Sequence, residues 1–131
     1  MNLFENVSGA RAKDCYIDTK IDRIIFVVDP GNIGLAIGRN GKNIRHIRQL
    51  MGKDVDVVEY HKNVEHFVKN CLSPAKVDSV TTTKKRDGRQ VVNVVVGPKD
   101  RGLAIGKNGK NIDKARILAQ RHFGIDNIVI E

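Results

Sequence analysis

GLAIGRNGKNI, at residues 34–44, recurs as GLAIGKNGKNI at residues 102–112. The two copies differ only at Arg39 and Lys107, and both of these residues are cations. The same offset also aligns flanking residues: Pro30 with Pro98, Arg48 with Arg116, and Leu50 with Leu118. An internal repeat of this size indicates a duplicated structural unit, so the sequence predicts two related modules.

Each copy is preceded by an apolar, β-branched run that a proline closes. The runs are residues 24–28 (IIFVV) and 91–96 (VVNVVV), followed by Pro30 and Pro98. Such runs are typical of buried strands, and proline ends them because it has no N–H to donate to the sheet.

A short helix is predicted after each proline. Asn32 and Asp100 stand where an N-cap belongs, with a side-chain oxygen that can accept a bond from the first free amides. Gly38 and Gly106 interrupt the helix within about two turns.

The interruption is a Gly-x-x-Gly loop, at residues 38–41 and 106–109. A second helix is predicted from Lys42 and Lys110, because apolar residues then recur at helical spacing. The residues predicted to form its buried face are Ile44, Ile47, Leu50 and Met51 in the first copy, and Ile112, Ala115, Leu118 and Ala119 in the second. Closing strands are predicted at residues 55–60 and 127–130.

Further elements are predicted before each core strand. In the second copy they are a helix at residues 63–71, a strand at 76–84 and a hairpin turn at Arg86-Asp87-Gly88. In the first copy they are a strand at residues 14–18 and a short helix at 2–10, with Leu3, Phe4 and Val7 covering one side of the module.

Strand, short helix, Gly-x-x-Gly, helix and strand form the core of the K-homology (KH) domain, and the chain resembles a tandem KH protein. The extra helix and strand before the core are similar to the type II order. Two such units resemble the archaeal NusA-type transcription termination/antitermination factors, as does Cys71-x-Ser73-Pro74-Ala75-Lys76-Val77 between them. The resemblance implies an α+β fold of two domains, 1–61 and 62–131, each a three-stranded sheet covered on one face by helices.

The composition favours a polyanionic partner, since the net charge is +8 and the pI about 9.7. Cys15 and Cys71 have no partner spacing, which indicates a reducing compartment. No signal peptide or membrane-length apolar run is visible, so a soluble, cytoplasmic protein is expected.

The Gly-rich stretches are not a Walker A motif, because Asn43 and Asn111 stand where Ser or Thr is needed. No nucleophile–base pair or metal spacing is visible, so neither an enzyme nor a cofactor is expected.

The loops suit a phosphodiester backbone. Glycine admits close approach, and the helix that follows directs free amides and a positive dipole end at an anion. The resemblance to KH domains also implies a groove beside each loop, lined by aliphatic residues that would face the bases. The RNA-binding residues predicted on these grounds are Ile37, Gly38, Arg39, Asn40, Gly41, Lys42, Arg45 and Arg48 in the first copy, and Ile105, Gly106, Lys107, Asn108, Gly109, Lys110, Lys114 and Arg116 in the second. For the cations among them, a solvated helix face is the structural alternative.

The leading hypothesis is a monomeric, single-stranded RNA-binding protein. A role in transcription elongation and termination, with RNA polymerase as a further candidate partner, is implied by the resemblance alone. Two alternatives stay open: a ribosome-associated or RNA-processing KH protein, and a protein-interaction scaffold whose loops have lost RNA.

Overall fold

The computed structural model describes residues 2–131, which leaves Met1 of the predicted first module outside the description. The chain divides into two compact units, Met1–His61 and Lys62–Glu131. The first unit contains α1 (Asn2–Ser8), β1 (Ala12–Asp18), β2 (Arg23–Val28), α2 (Ile33–Ile37), α3 (Lys42–Met51) and β3 (Asp54–Glu59). The second contains α4 (Val64–Leu72), β4 (Val77–Lys84), β5 (Gln90–Val96), α5 (Pro98–Ile105), α6 (Lys110–Phe123) and β6 (Asn127–Ile130). The units therefore share one element order.

Each unit is built on a three-stranded sheet with the core strand in the middle. The strand orders are β1-β2-β3 and β4-β5-β6. The outer strand that comes first in the chain pairs antiparallel with the core strand, and the last strand pairs parallel. A parallel pair needs a long crossover, which the two helices and the loop between them supply. The predicted fold of two tandem KH domains is confirmed.

The core of the first unit lies between the sheet and its helices. Phe4 of α1 stacks on Phe26 of β2 with ring centroids 4.1 Å apart, and both side chains are buried. Val7 packs at the edge of this core. Leu3 does not join it, contrary to the prediction, because its side chain lies on the outer side of the short helix and is 43% exposed.

The two second helices differ in how completely their apolar face is buried. All four residues predicted for α6 are buried, and the helix packs against α4. In α3 the prediction holds for Ile44 and Ile47 but is wrong for Leu50, which is 51% exposed. Leu50 lies in the last turn of α3, which ends at Met51 and is followed by a left-handed Gly52, whereas α6 continues to Phe123.

A buried ion pair marks the start of the core strand in the first unit. Arg23 is 1% exposed, and its guanidinium lies 3.1 Å from the carboxylate of Asp18 and 3.3 Å from that of Asp56. These residues come from all three strands of the sheet. The charge–charge contacts therefore hold the three strands together at one end.

Asn32 occupies the predicted N-cap position of α2, whereas the prediction is wrong for Asp100, because Gly97 is the N-cap of α5. Asn32 makes no side-chain bond to its own helix; its Oδ1 accepts a bond of 2.9 Å from the amide of Arg11. Asp100 lies inside α5, and its carboxylate accepts a bond of 3.0 Å from the amide of Lys76. Each side chain therefore links the short helix, α2 or α5, to the residue that precedes β1 or β4 in the same unit.

Candidate nucleic-acid interface

The Gly-x-x-Gly loops have an unusual backbone. In the first loop, φ is 77° at Gly38, 55° at Asn40 and 76° at Gly41. The second loop repeats these torsions within a few degrees: 79° at Gly106, 57° at Asn108 and 75° at Gly109. Positive φ favours glycine and, among other residues, asparagine. The sequence G-x-N-G therefore encodes one backbone shape, and the chain presents it twice.

The first glycine of each loop is required inside the protein. A Cβ on Gly38 would lie 2.7 Å from Cγ and 2.8 Å from the backbone N of Asn43, and one on Gly106 would lie 2.7 Å from the backbone N of Asn111. At the second glycine, Gly41, the nearest atom would be the flexible Nη1 of Arg45, at 3.0 Å. The first glycine thus serves close packing as well as its torsion, a distinction that the sequence motif does not reveal.

Asn43 and Asn111 hold the loops in place, and neither is among the site residues predicted from the sequence. The Asn43 side-chain amide donates to the carbonyl of Leu35, at 2.7 Å. That of Asn111 donates to the carbonyls of Leu103, at 3.1 Å, and Leu72, at 3.0 Å. Each asparagine therefore links the two helices on either side of its loop: Asn43 links α3 to α2, and Asn111 links α6 to α5. Their identity in both copies of the repeat was the available signal.

The loop tips present cations and open helix ends. Arg39 and Lys107 are exposed, as are Asn40 and Asn108. Among the described residues, no side chain caps the N-terminus of α3 or of α6. Lys42, at the start of α3, is exposed, and the equivalent Lys110 is half-buried. The first-turn amides and dipole end of each helix can therefore meet an anion beside a cation.

Three other predicted cations have protein partners. The Arg48 guanidinium donates to the carbonyl of Val55, from Nε at 3.1 Å and Nη2 at 3.0 Å. Arg116 donates in the same way to Ile128, at 3.3 and 3.1 Å. Both residues join the second helix to the last strand of their unit. Arg45 donates to the carbonyl of Asn40 inside the first loop. The predicted RNA contacts of all three stay predictions, and each of these side chains has a bond that stabilises the fold.

Lys114 does not face the solvent, as a contact with RNA would require. It is only 7% exposed, because it lies on the buried side of α6. Its charge acts on the buried thiol of Cys71: burial raises the pKa of Cys71 to about 12, and Lys114 shifts that pKa in the opposite direction. A lysine packed in this way is a component of the second unit's interior, so we remove it from the candidate site.

Aliphatic side chains lie beside each loop. Ile37 is 42% exposed, and Ile105 is half-buried. Two residues on the same short helices are more exposed: Leu35 at 51% and Leu103 at 50%. These leucines are not among the residues predicted from the sequence, although both belong to the repeated stretch. Each loop therefore has an apolar surface next to a cationic one.

Residues 2–131 offer neither a metal cluster nor a membrane helix. No three of their His, Cys, Asp or Glu side chains converge on a position where a metal ion could bind. None of the helices in that range combines the length and the apolar composition that spanning a bilayer requires.

Comparison with known proteins agrees with this architecture. Residues 1–87 match the KH domain family, and residues 64–130 match the NusA-like second KH domain. The probable transcription termination protein NusA of Methanococcus vannielii is 38% identical over 130 residues, covering 99% of this chain and 73% of that protein. Its namesake in Halococcus morrhuae is 40% identical over 126 residues, covering 96% and 88%. A crystal structure of APE1850 superposes with a TM-score of 0.86 at 38% identity, covering 99% of this chain and 94% of that one.

The fold and its paired Gly-x-x-Gly loops define a tandem KH protein, the class predicted from the sequence. Within that class, the similarity extends over nearly the whole chain to archaeal transcription termination proteins. The chain belongs to the archaeal NusA family.

Proposed function

We propose that this chain binds single-stranded RNA through its two Gly-x-x-Gly loops. The observation that carries the proposal is the repetition of one loop geometry, with an exposed cation at the tip and an uncapped helix N-terminus behind it, in both units. Charge supports the same conclusion, since a net charge of +8 favours a polyanion.

The RNA backbone would contact the glycine-rich side of each loop. Its phosphates would accept hydrogen bonds from the first-turn amides of α3 and α6 and would interact with the charges of Arg39 and Lys107. The bases would lie on the aliphatic side, over residues such as Leu35 and Leu103. A stacking platform of the RRM kind is not available, because aromatic residues make up 5% of the chain and tryptophan is absent. A KH loop holds about four nucleotides, so two loops in one chain raise affinity through effective concentration.

The names of the relatives extend the proposal to transcription. We place this chain with them as a monomeric regulator of elongation and termination, with residues 1–61 and 62–131 as its domains. RNA polymerase is the proposed protein partner. Purification of the tagged chain from its host tests this part: recovery of polymerase subunits supports it, whereas recovery of ribosomal subunits instead supports the ribosome-associated alternative.

RNA binding is tested by reversing the charge at the loop tips. The variants Arg39→Asp/Asn40→Asp and Lys107→Asp/Asn108→Asp alter exposed residues and should stay folded. Each should weaken binding of a fluorescent oligoadenylate by at least about tenfold. Each should also lower the slope of the salt dependence, by roughly 0.7 for every phosphate that the altered loop no longer neutralises.

A matched control makes the same change of net charge at residues that lie away from the loop. Thr81 and Lys85 are exposed on β4 and in the hairpin after it, whereas the loop follows the other end of β5. The variant Thr81→Asp/Lys85→Asp should weaken binding much less than the loop variants. Equal losses in control and loop variants, or wild-type affinity with both loops altered, would exclude the loops as the RNA site and favour the scaffold alternative.

A further inference from the structure

One pair of aligned residues in contact with the loops differs in charge between the two units. The repeat aligns Arg45 of α3 with Asp113 of α6. Arg45 Nη1 lies 3.0 Å from the position of a Cβ on Gly41, and Asp113 Oδ2 lies 3.7 Å from that of a Cβ on Gly109. Both side chains therefore lie against the second glycine of their loop, one with a positive charge and the other with a negative one.

The difference acts at the anion-binding end of each helix. The first turn of α3 contains no acidic residue, whereas that of α6 contains Asp113. A carboxylate at a helix N-terminus neutralises the dipole there and repels an incoming phosphate. Arg45, by contrast, donates to the Asn40 carbonyl within the first loop and adds a cation to it. The first loop is thus charged for phosphate, and the second is partly neutralised by the protein itself.

Arg116 does not cancel this difference. It lies 3.5 Å from Asp113, but both side chains are about half exposed, and such surface pairs interact weakly. Arg116 also has a close structural counterpart in Arg48, since both donate to a carbonyl of the last strand. The cations at the loop tips are likewise matched, Arg39 by Lys107. The net difference beside the loops is therefore two unit charges.

The units also differ farther from the loops. Lys99 and Arg101 are exposed on α5, more than one helical turn before Gly106, and the aligned residues of the first unit are uncharged. Lys114 replaces His46 but is buried. Because these charges act on RNA across the whole unit, affinities of the two units cannot be compared directly. Substitution at positions 45 and 113 isolates the local effect.

We infer that Arg45 and Asp113 set unequal phosphate affinities for the two loops, with the first loop as the strong site and the second as an attenuated one. The inference rests on the proposed function and deepens it. Arg45 acts as a positioning residue, which holds the loop carbonyl and supplies charge; Asp113 lowers the affinity of the second loop. RNA would then dock first at residues 38–41 and exchange more readily at residues 106–109.

The experiment measures each loop in a full-length chain whose other loop is disabled. Arg45→Asp is made together with Lys107→Asp/Asn108→Asp, and Asp113→Arg together with Arg39→Asp/Asn40→Asp. Binding of fluorescent oligoadenylate is followed by anisotropy over a salt series. Two unit charges about 6–9 Å from a phosphate in a water-like dielectric correspond to roughly a five- to tenfold change in Kd. Arg45→Asp should weaken binding by that factor, and Asp113→Arg should tighten it and steepen the salt dependence.

Conservative variants and a distant control separate charge from shape. Asp113→Asn should give about half of the logarithmic gain of Asp113→Arg, and Arg45→Lys should keep most of the affinity. Asp87→Arg makes the same charge change in the exposed hairpin before β5 and should leave the loop-specific affinity nearly unchanged. An Asp113→Arg chain that binds no better than its parent overturns the inference alone. Undiminished binding with both loops disabled overturns the proposed function, and the inference with it.

Discussion

Replacing Gly38 with alanine should destabilise the first unit far more than replacing Gly41. At Gly38 the new Cβ meets the backbone N of Asn43 at 2.8 Å, and φ is +77°. Strain at such torsions costs about 1–3 kcal/mol and overpacking a further 1–3 kcal/mol, so we expect a loss of about 4 kcal/mol. At Gly41 the neighbour is a flexible arginine end, and the left-handed conformation alone costs about 1–2 kcal/mol.

Gly34 supplies the internal control. It lies within α2, and a Cβ there has nothing within 4 Å. Gly34→Ala should therefore stabilise the unit by about 0.5–1 kcal/mol, because alanine is the better helix former. The free energy of unfolding should therefore be lowest for Gly38→Ala, intermediate for Gly41→Ala and highest for Gly34→Ala.

Tyrosine fluorescence makes the measurement specific. Both tyrosines, Tyr16 and Tyr60, lie in the first unit, and the chain has no tryptophan. Urea titration followed by this signal reports the free energy of unfolding of the first unit. Equal losses for Gly38→Ala and Gly41→Ala would refute the argument that the first glycine serves internal packing, and would leave both glycines serving only the torsion of the loop.

Two further predictions concern buried polar groups. Arg23→Met leaves the carboxylates of Asp18 and Asp56 without their buried cation, and should lower the free energy of unfolding by about 3 kcal/mol in the same urea assay; a change below about 1 kcal/mol would contradict the structure. Burial raises the pKa of Cys71 from 9.0 to about 12. The folded chain therefore keeps this proton where the unfolded chain loses it, so stability is fully present below pH 9.0 and is lost towards pH 12, by at most about 1.4 kcal/mol per pH unit. Cys71→Val should remove this component of the pH dependence measured by circular dichroism, and an unchanged alkaline profile would contradict it.

Most elements of the fold could be predicted because their signals are local. The apolar run at 24–28, the glycine pairs and the helical spacing after Lys42 each lie within a few residues, and the second copy repeats them. Contacts between residues far apart in the chain were harder to predict. Asn32 was correctly placed at the N-cap of α2, but its side chain bonds to the amide of Arg11, which lies 21 positions earlier in the chain. No local pattern contains that contact.

The same limit explains the errors at the candidate site. The position of Lys114 in a run of basic residues suggested an exposed face, yet whether it is exposed depends on α4, a separate element that packs on α6. Gly38 was correctly placed in the loop, but the Asn43 backbone that excludes a side chain there becomes close only after the turn is made. Contacts set by packing required the structure.

The asparagines behind the loops have an evolutionary consequence. The side chains of Asn43 and Asn111 bond to carbonyls of their own unit, so each loop keeps its shape by local means. After a duplication, one copy can drift in charge while the other preserves the ancestral activity. An arginine and an aspartate at aligned positions are the kind of divergence that such modular inheritance permits.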